Sequence, residues 1–255
     1  MPTPDSSHPA APATRGSGAG ASGDNGPRTL AIDIGGSHIK ADVLDHAGGS
    51  LADRVRIVTP VGRPPEDIVG AIADLIAPLP AYDRVSVGFP GVVRAGVVLT
   101  APNLGHDGWS RFDLAGALSK RLGKPARVLN DADMQGLGAI RGQGFEVVIT
   151  LGTGFGTGLY VDGRLLPHLE IAHQPFRKSE TYDEQLGNAA RKRVGDRKWS
   201  KRVRKAVKNL RALTNFDHLY VGGGNAKRVE WTPDPDVTII DNEAAIEGGV
   251  RAWRD

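Results

Sequence analysis

Residues 128–163 read VLNDADMQGLGAIRGQGFEVVITLGTGFGTGLYVDG. One apolar run ends in Asn130 and Asp131, a helix-like segment follows, and a second apolar run, 147–151, ends in a glycine loop. That second run is short, rich in β-branched residues and bounded by Gly, which predicts a buried strand. In the loop, Gly152, Gly154, Gly156 and Gly158 alternate with Thr153, Phe155 and Thr157. Glycine permits positive φ and close approach to a ligand, and successive backbone N–H groups can form an anion-binding nest. Phosphate is the guest that such a loop suits, although a glycine-rich turn between strands also serves as a plain hairpin. The spacing matches neither the Walker A loop, which needs a following Lys-Ser/Thr, nor the dinucleotide G-x-G-x-x-G. Asp131, at a strand end, has the chemistry to take a proton from a hydroxyl that Asn130 orients. The same pair suits a helix N-cap equally well.

Upstream, 29–34 is a strand candidate that runs into Asp33, Gly35, Gly36 and Ser37, and 39–44 resumes an extended pattern. Strand, glycine turn and strand repeat the arrangement around Gly152, so two halves built alike are expected. Asp33 beside a phosphate loop suits a water-mediated Mg²⁺, because hard cations take oxygen ligands; a turn Asp before Gly-Gly is the plain alternative. Residues 51–58 read as a strand and 84–89 as another that meets Pro90-Gly91. Between them, 66–76 reads as a helix with Ile68, Val69, Ile72, Leu75 and Ile76 on one side. Ligands gather at strand carboxyl ends in open α/β sheets. The loop 101–109, APNLGHDGW, offers Asn103, His106, Asp107 and Trp109, a composition that sugar sites share with ordinary surface loops. Residues 112–122 form the next predicted helix, closed by Gly123 and Pro125, and 126–129 form the strand leading into Asn130.

Downstream, 159–166 is extended, and His168, Glu170 and His173 then spell H-x-E-x-x-H. That is not the H-E-x-x-H of zinc helices and lacks a clear third ligand, so polar contacts to a substrate are expected instead. Residues 181–194 and 198–213 are predicted helices, the second with Trp199, Val203, Val207 and Leu210 on one stripe. Lys or Arg occupies 191, 192, 193, 197, 198, 201, 202, 204, 205, 208 and 211, with Asp196 the one acid among them. Such a run is either a solvated helix face or a track for a polyanion. Residues 218–221 end in Gly222, Gly223, Gly224 and Asn225, a third glycine turn, against which a flat ring or a phosphate can lie. Residues 237–240 are the last predicted strand, and 243–253 a closing helix capped by Asn242.

The 255 residues carry a net charge of +3 and no Cys. A disulfide framework, a thiolate metal site and a Cys nucleophile are thereby excluded, and a reducing cytoplasmic setting fits. No apolar run of roughly 18 residues is present, so no membrane partner is expected. The first 27 residues, rich in Pro, Ala, Gly and Ser without the apolar core of a secretory signal, are expected to be a disordered tail. The net charge is too small to indicate a partner.

Seven motifs in order, DIGGSHIK (33–40), GFPGVV (88–93), PNLGHDGW (102–109), LNDAD (129–133), LGTGFGTGLYVDG (151–163), EIAH (170–173) and VGGGNAK (221–227), resemble those of the ROK-family sugar kinases. The match runs over about 30–253 and looks nearest to the short polyphosphate/ATP glucokinase branch. The resemblance implies an α/β fold of actin-like type. Two ribonuclease-H-like lobes, 28–125 and 126–255, would close on a cleft, with the last helix packing back on the first lobe. It implies that Asp33, Gly35, Gly36, Ser37 and Lys40, with Gly152, Thr153 and Gly154, grip phosphates, and that Gly222, Gly223 and Gly224 lie against adenosine. Asn103, Asn130, Asp131, Glu170 and His173 would hold a hexose, with Asp131 as base. Mg²⁺, carried near Asp33 through water, would accompany ATP and/or inorganic polyphosphate as donor. The basic stretch 191–211 is a candidate polyphosphate track, and a homodimer is expected. Two departures matter. The Cys-rich zinc motif of the larger ROK kinases is missing, so structural zinc is not expected. After His173 the chain reads Gln174, Pro175, Phe176, Arg177, Lys178 where the polyphosphate glucokinases continue His-Leu-Glu, which leaves the exact sugar open. ROK repressors add an N-terminal helix-turn-helix that residues 1–27 do not spell, so DNA is not expected as a partner.

Overall fold

The computed structural model describes residues 26–240 and 244–254. The expected disordered tail, through residue 25, and the expected helix cap at Asn242 fall outside the described residues. Two five-stranded mixed sheets organise the chain. The first takes β1 (Thr29–Ile34), β2 (His38–Leu44), β3 (Val55–Val58), β4 (Arg84–Phe89) and, after a small hairpin of β5 (Val93–Arg94) and β6 (Val97–Val98), β7 (Ala126–Asn130). Its order is β3-β2-β1-β4-β7, with β1–β2–β3 antiparallel and β1–β4–β7 parallel. The second takes β8 (Phe145–Leu151), β9 (Phe155–Val161), β10 (Arg164–Leu165) and, after the hairpin of β11 (Pro175–Arg177) and β12 (Glu180–Thr181), β13 (His218–Gly222) and β14 (Val237–Ile239). Its order, β10-β9-β8-β13-β14, repeats the first in order and direction: a meander of three strands extended by two parallel ones. The two halves expected from the repeated glycine turns are therefore built alike.

Helices α1 (Pro65–Leu75) and α2 (Leu114–Leu122) cover the first sheet, around a core that includes Ile32, Phe89, Val87 and Trp109. Pro65 at the first helical position and Asp113, whose side chain accepts from the Gly116 N–H, set their starts. That cap moves the second predicted helix two residues later than 112. Helices α4 (Tyr182–Leu186), α5 (Asn188–Val194) and α6 (Asp196–Thr214) cover the second sheet. The α6 stripe of Trp199, Val203, Val207 and Leu210 is buried, each side chain contributing about 1.5–3 kcal/mol of transfer free energy, and the Trp199 indole N–H donates to Leu186 O at 2.7 Å.

Three further predictions shift. The third strand begins at Val55, not 51. The extended 159–166 segment is two strands, because Asp162 and Gly163 both take positive φ and turn the chain. The helix over 181–194 breaks at Gly187, which is extended at φ −61° and ψ 164°, and a Cβ there would lie 2.6 Å from Thr153 O. The break lets the next amide, Asn188 N, donate to Gly152 O and Thr153 O at 3.0 and 3.1 Å.

Between the sheets lies α3 (Asp131–Ala139), packed on β4, β7, β8 and β9 and, most extensively, on α7 (Ala244–Arg251). From the far end of the chain, α7 returns to the first sheet at β1 and β4. Ser86 donates to Gly249 O at 2.6 Å, the Trp253 indole donates to Ser86 Oγ at 2.8 Å, and Arg127 lies 4.6 Å from the Trp253 ring. Among the described residues no helix is long and apolar enough to cross a membrane.

Candidate active site

A cleft of about 870 Å³ opens between the two sheets. On one wall, the β1–β2 turn presents Asp33, Gly35, Gly36 and Ser37. Asp33 faces Lys40 in the antiparallel register, with Nζ 3.3 Å from Oδ2 and both side chains about half exposed. The turn is braced by the Gly35 N–H, which donates to His38 O at 3.0 Å, and by Thr59 Oγ1, which donates to Gly35 O at 2.6 Å. Gly36 sits against Asn103, where a Cβ would meet the Asn103 Cβ at 3.4 Å. The amides of Gly36 and Ser37 donate to no backbone carbonyl among the described residues.

On the other wall, the glycine loop is shorter than its sequence suggests. Strand β9 begins at Phe155, opposite Leu151, so the turn is Gly152, Thr153, Gly154 alone. None of Gly35, Gly36, Gly152 and Gly154 has positive φ, so the expected nest geometry is absent. Gly156 and Gly158 belong to the strand and serve packing instead. A Cβ on Gly156 would fall 2.8 Å from the Ala132 Cβ of α3, and one on Gly158 would strike the Tyr160 hydroxyl. What the turn does offer an anion is rigidity and free donors. Asn188 N, Asn225 Nδ2 and Asn225 N donate to Gly152 O, Gly152 O and Leu151 O, and the Asp183 carboxylate accepts from Phe155 N at 2.8 Å. The Thr153 and Gly154 amides donate to no backbone carbonyl among the described residues. Two turns on opposite walls thus line one cleft with four residues, Gly36, Ser37, Thr153 and Gly154, whose amides are not committed to backbone carbonyls among the described residues, the kind of donor that preorganised anion stabilisation requires.

The third glycine turn packs behind the second. Gly223 has φ 87°, and a Cβ there would sit 2.4 Å from Leu151 N, so only glycine fits against the end of β8. Gly223 and Gly224 line the cleft; Gly222 does not, being buried in β13 opposite Thr150.

On the cleft floor, β7 delivers Asn130 and α3 begins with Asp131. Asn130 is the helix cap: its buried Oδ1 accepts from Ala132 N at 2.8 Å and Asp133 N at 3.3 Å, while Nδ2 donates to Gly91 O at 3.1 Å. The ambiguity of the Asn-Asp pair resolves into a division of labour in which Asn130 caps and Asp131 faces the cleft. Gly88 leaves room beneath, with its would-be Cβ 3.4 Å from the Asp131 Cα. One Asp131 oxygen accepts from Ala132 N at 2.8 Å. Water reaches this carboxyl through the cleft mouth, but protein crowds it on the remaining sides. That crowding, with the negative charge of Asp33 and more weakly of Asp133, outweighs the Ala132 bond and pushes its pKa up to about 7.

Asn103, Glu170 and His173 line the same cleft, the last with Nε2 3.8 Å from Glu170 Oε2. His168, set aside in sequence with no role beyond polar contact, is buried between Asp133 and Glu170. Asp133, Asp183, Asn188 and Asn225 were missed because their partners lie far along the chain. Of the loop 101–109 only Pro102 and Asn103 line this cleft; His106 accepts from Gly108 N and Trp109 is buried in the first core, while the residues of the two phosphate turns, Asn130, Asp131, Glu170 and His173 all line it.

The family model described as ROK matches residues 29–169, more than half of the chain. The chain belongs to the ROK family. Among solved structures, the inorganic polyphosphate/ATP-glucomannokinase of Arthrobacter sp. strain KM superposes with a TM-score of 0.78 at 32% identity, covering 91% of this chain and 100% of that one. The polyphosphate glucokinase of Mycobacterium tuberculosis is 30% identical over 239 residues, 87% of this chain and 89% of that protein. An N-acetylmannosamine kinase of Escherichia coli is 36% identical over 145 residues, but over only 54% of this chain and 49% of that one. The ROK resemblance carried by the seven motifs is borne out, and the mixed sheets and helices are those of an α/β ROK fold.

Proposed function

We propose that this ROK protein is a glucokinase-like hexose kinase, moving a phosphoryl group from ATP and/or inorganic polyphosphate to the 6-hydroxyl of glucose. One observation carries the reading: a carboxyl of raised pKa faces, across a single cleft, two turns whose backbone amides are free to bind phosphate. The same strand order in both halves supports an actin-like fold of two ribonuclease-H-like lobes, and the full-length similarity to proteins named as polyphosphate glucokinase and glucomannokinase supports the donors.

Phosphoryl transfer needs position and charge neutralisation more than covalent help. Asp131 aligns the sugar hydroxyl and takes its proton as the oxygen attacks phosphorus. The amides of Gly36, Ser37, Thr153 and Gly154, with Lys40, offset charge on the phosphates, and Gly223 and Gly224 supply a flat surface for adenosine. Asn103, Glu170 and His173 hold the sugar ring, while Asn130 fixes the base by capping its helix. Mg²⁺ keeps several of its waters and binds through few carboxylates; half-exposed Asp33, which pairs with Lys40, would hold it through water, and bound with the donor it would supply charge neutralisation. Loss of Asp131 activity on protonation follows from the pKa of about 7. The value of kcat/KM for glucose should therefore rise with pH on an acid limb centred near neutrality, and a flat profile below pH 7 would exclude this carboxyl as base.

Glucose 6-phosphate formation, measured by a coupled assay with each donor, tests the reading. Sugar-induced thermal stabilisation without product would point instead to a non-catalytic sensor. The basic run has a geometric reason to hold polyphosphate: α5 starts at the Gly152–Gly154 turn, and Lys201, Arg204, Lys205 and Lys208 are exposed on α6 beyond it. Neutralising these four should raise KM for polyphosphate with a steeper response in low salt than in high, and spare KM for ATP. Equal effects on both donors would assign the run to a solvated helix face.

A further inference from the structure

We propose that His168 is a positioning residue for the acceptor side of the cleft: seated on Asp133, its ring pins the Glu170 carboxylate where a sugar hydroxyl would meet it. This rests on the hexose-kinase reading and adds to it a residue that touches no substrate. The three side chains come from two segments, Asp133 from the first turn of α3 and His168 and Glu170 from the stretch after β10. The His168 and Asp133 side chains are 5% and 4% exposed, with Nδ1 2.9 Å from Asp133 Oδ2. Nε2 lies 3.6 Å from Glu170 Oε1, and Glu170 is 34% exposed in the cleft. A neutral imidazole donates from one nitrogen only; a ring set between two carboxylates serves both as the imidazolium. Burial opposes that charge, but the hydrogen bond to Asp133 and the nearby charges of Asp133 and Glu170 outweigh it and raise the His168 pKa to about 9. The same contact with His168 holds Glu170 below the usual carboxylate range.

A histidine retained for packing alone would be satisfied by Asp133. Nothing in the core requires its second nitrogen to address a cleft-lining carboxylate. Asp133 meanwhile keeps its other oxygen, Oδ1, buried with no hydrogen-bond partner among the described residues. The cation also reaches the base. The charged groups around Asp131 are Asp33 on β1, itself paired with Lys40 on β2, Asp133 on α3, and His168, Glu170 and His173 on the stretch after β10. Asp33 and Asp133 favour protonated Asp131, and His168 opposes them.

His168→Asn keeps a bond to Asp133 but is too short to span to Glu170. It should raise KM for glucose about tenfold, as for a lost charge-assisted contact, while KM for ATP stays within about twofold. The acid limb of kcat/KM should move to higher pH, because the cation that restrains protonation of Asp131 is gone. Combined with Glu170→Gln, it should add less than about twofold to the effect of Glu170→Gln alone, since both changes break one contact. Equal effects on both substrates with an unmoved acid limb would overturn the proposal and leave a core histidine. A measurement on the unmodified protein guards against a variant that does not fold. The His168 ring nitrogens, followed by NMR, should both stay protonated to about pH 8, consistent with the pKa of about 9, and shift when glucose is added. A ring neutral at pH 7 or indifferent to bound glucose would equally overturn it. A protein that binds glucose but transfers no phosphate sinks the kinase reading and leaves the NMR result to judge His168.

Discussion

Asp131→Asn should lower kcat by about 10²–10⁴-fold, the range general-base catalysis contributes, with little change in the dissociation constant for glucose. The amide has the same shape as the carboxyl and keeps an acceptor for the Ala132 N–H, so α3 still starts at the same place. Only the proton acceptor is lost. Single-turnover rates and calorimetric sugar binding, measured side by side, separate the two quantities. A variant retaining more than roughly a tenth of the rate would remove Asp131 as base, given that range. The same substitution has an opposite effect on stability. A carboxyl whose folded pKa is raised to about 7 favours the folded state at low pH, and that contribution is lost as pH rises through the folded value. An uncharged amide side chain in its place carries no such penalty, so the variant should melt higher than the parent at pH 8 and lose that advantage below pH 4. The site is then one where stability has been given up for chemistry.

Gly248→Ala should be the most damaging small substitution outside the cleft. A Cβ there would fall 1.8 Å from the Met134 carbonyl oxygen and 3.1 Å from Gly138 N, backbone atoms of α3 that cannot swing aside. In an exposed helix, Gly→Ala gains roughly 0.5–1 kcal/mol. Here the overpacking cost, about 1–3 kcal/mol, should reverse that sign and depress Tm by several degrees. The neighbouring Gly249 is the control, since the tightest contact of its Cβ would be the Ala31 Cβ, at 3.1 Å. Gly249→Ala should be markedly milder in a thermal melt; if both variants were equally stable, α3 and α7 would not be as close as the structure places them.

Much of the fold was legible because its signals are local. Short β-branched runs ending in glycine marked β1, β8 and β13, and helix periodicity with Pro65 marked α1. What the sequence misstated depended on distant partners. Alternating glycines from 152 to 158 look like one phosphate loop, yet Gly156 answers to Ala132 on α3 and Gly158 to Tyr160 two residues along its own strand. Gly187 breaks a helix because Thr153, far back in the chain, needs its neighbour's amide. The Asn-Asp dipeptide had two sound readings, and only the three-dimensional placement of Gly91 beside Asn130 assigned one role to each. His168 was visible as a residue and invisible as a bridge, since the spacing says nothing of Asp133 on α3.

The pairing of α3 with α7 carries a mechanical consequence. If the two sheets rock toward each other over a bound sugar, the natural axle is the glycine-tight seam between these helices, which touches both sheets at once. Asp131 opens α3 at one end of that axle, where angular travel produces little displacement, while the Gly152–Gly154 turn belongs to the second sheet that would move around it. Rocking would then carry that turn toward a nearly stationary Asp131.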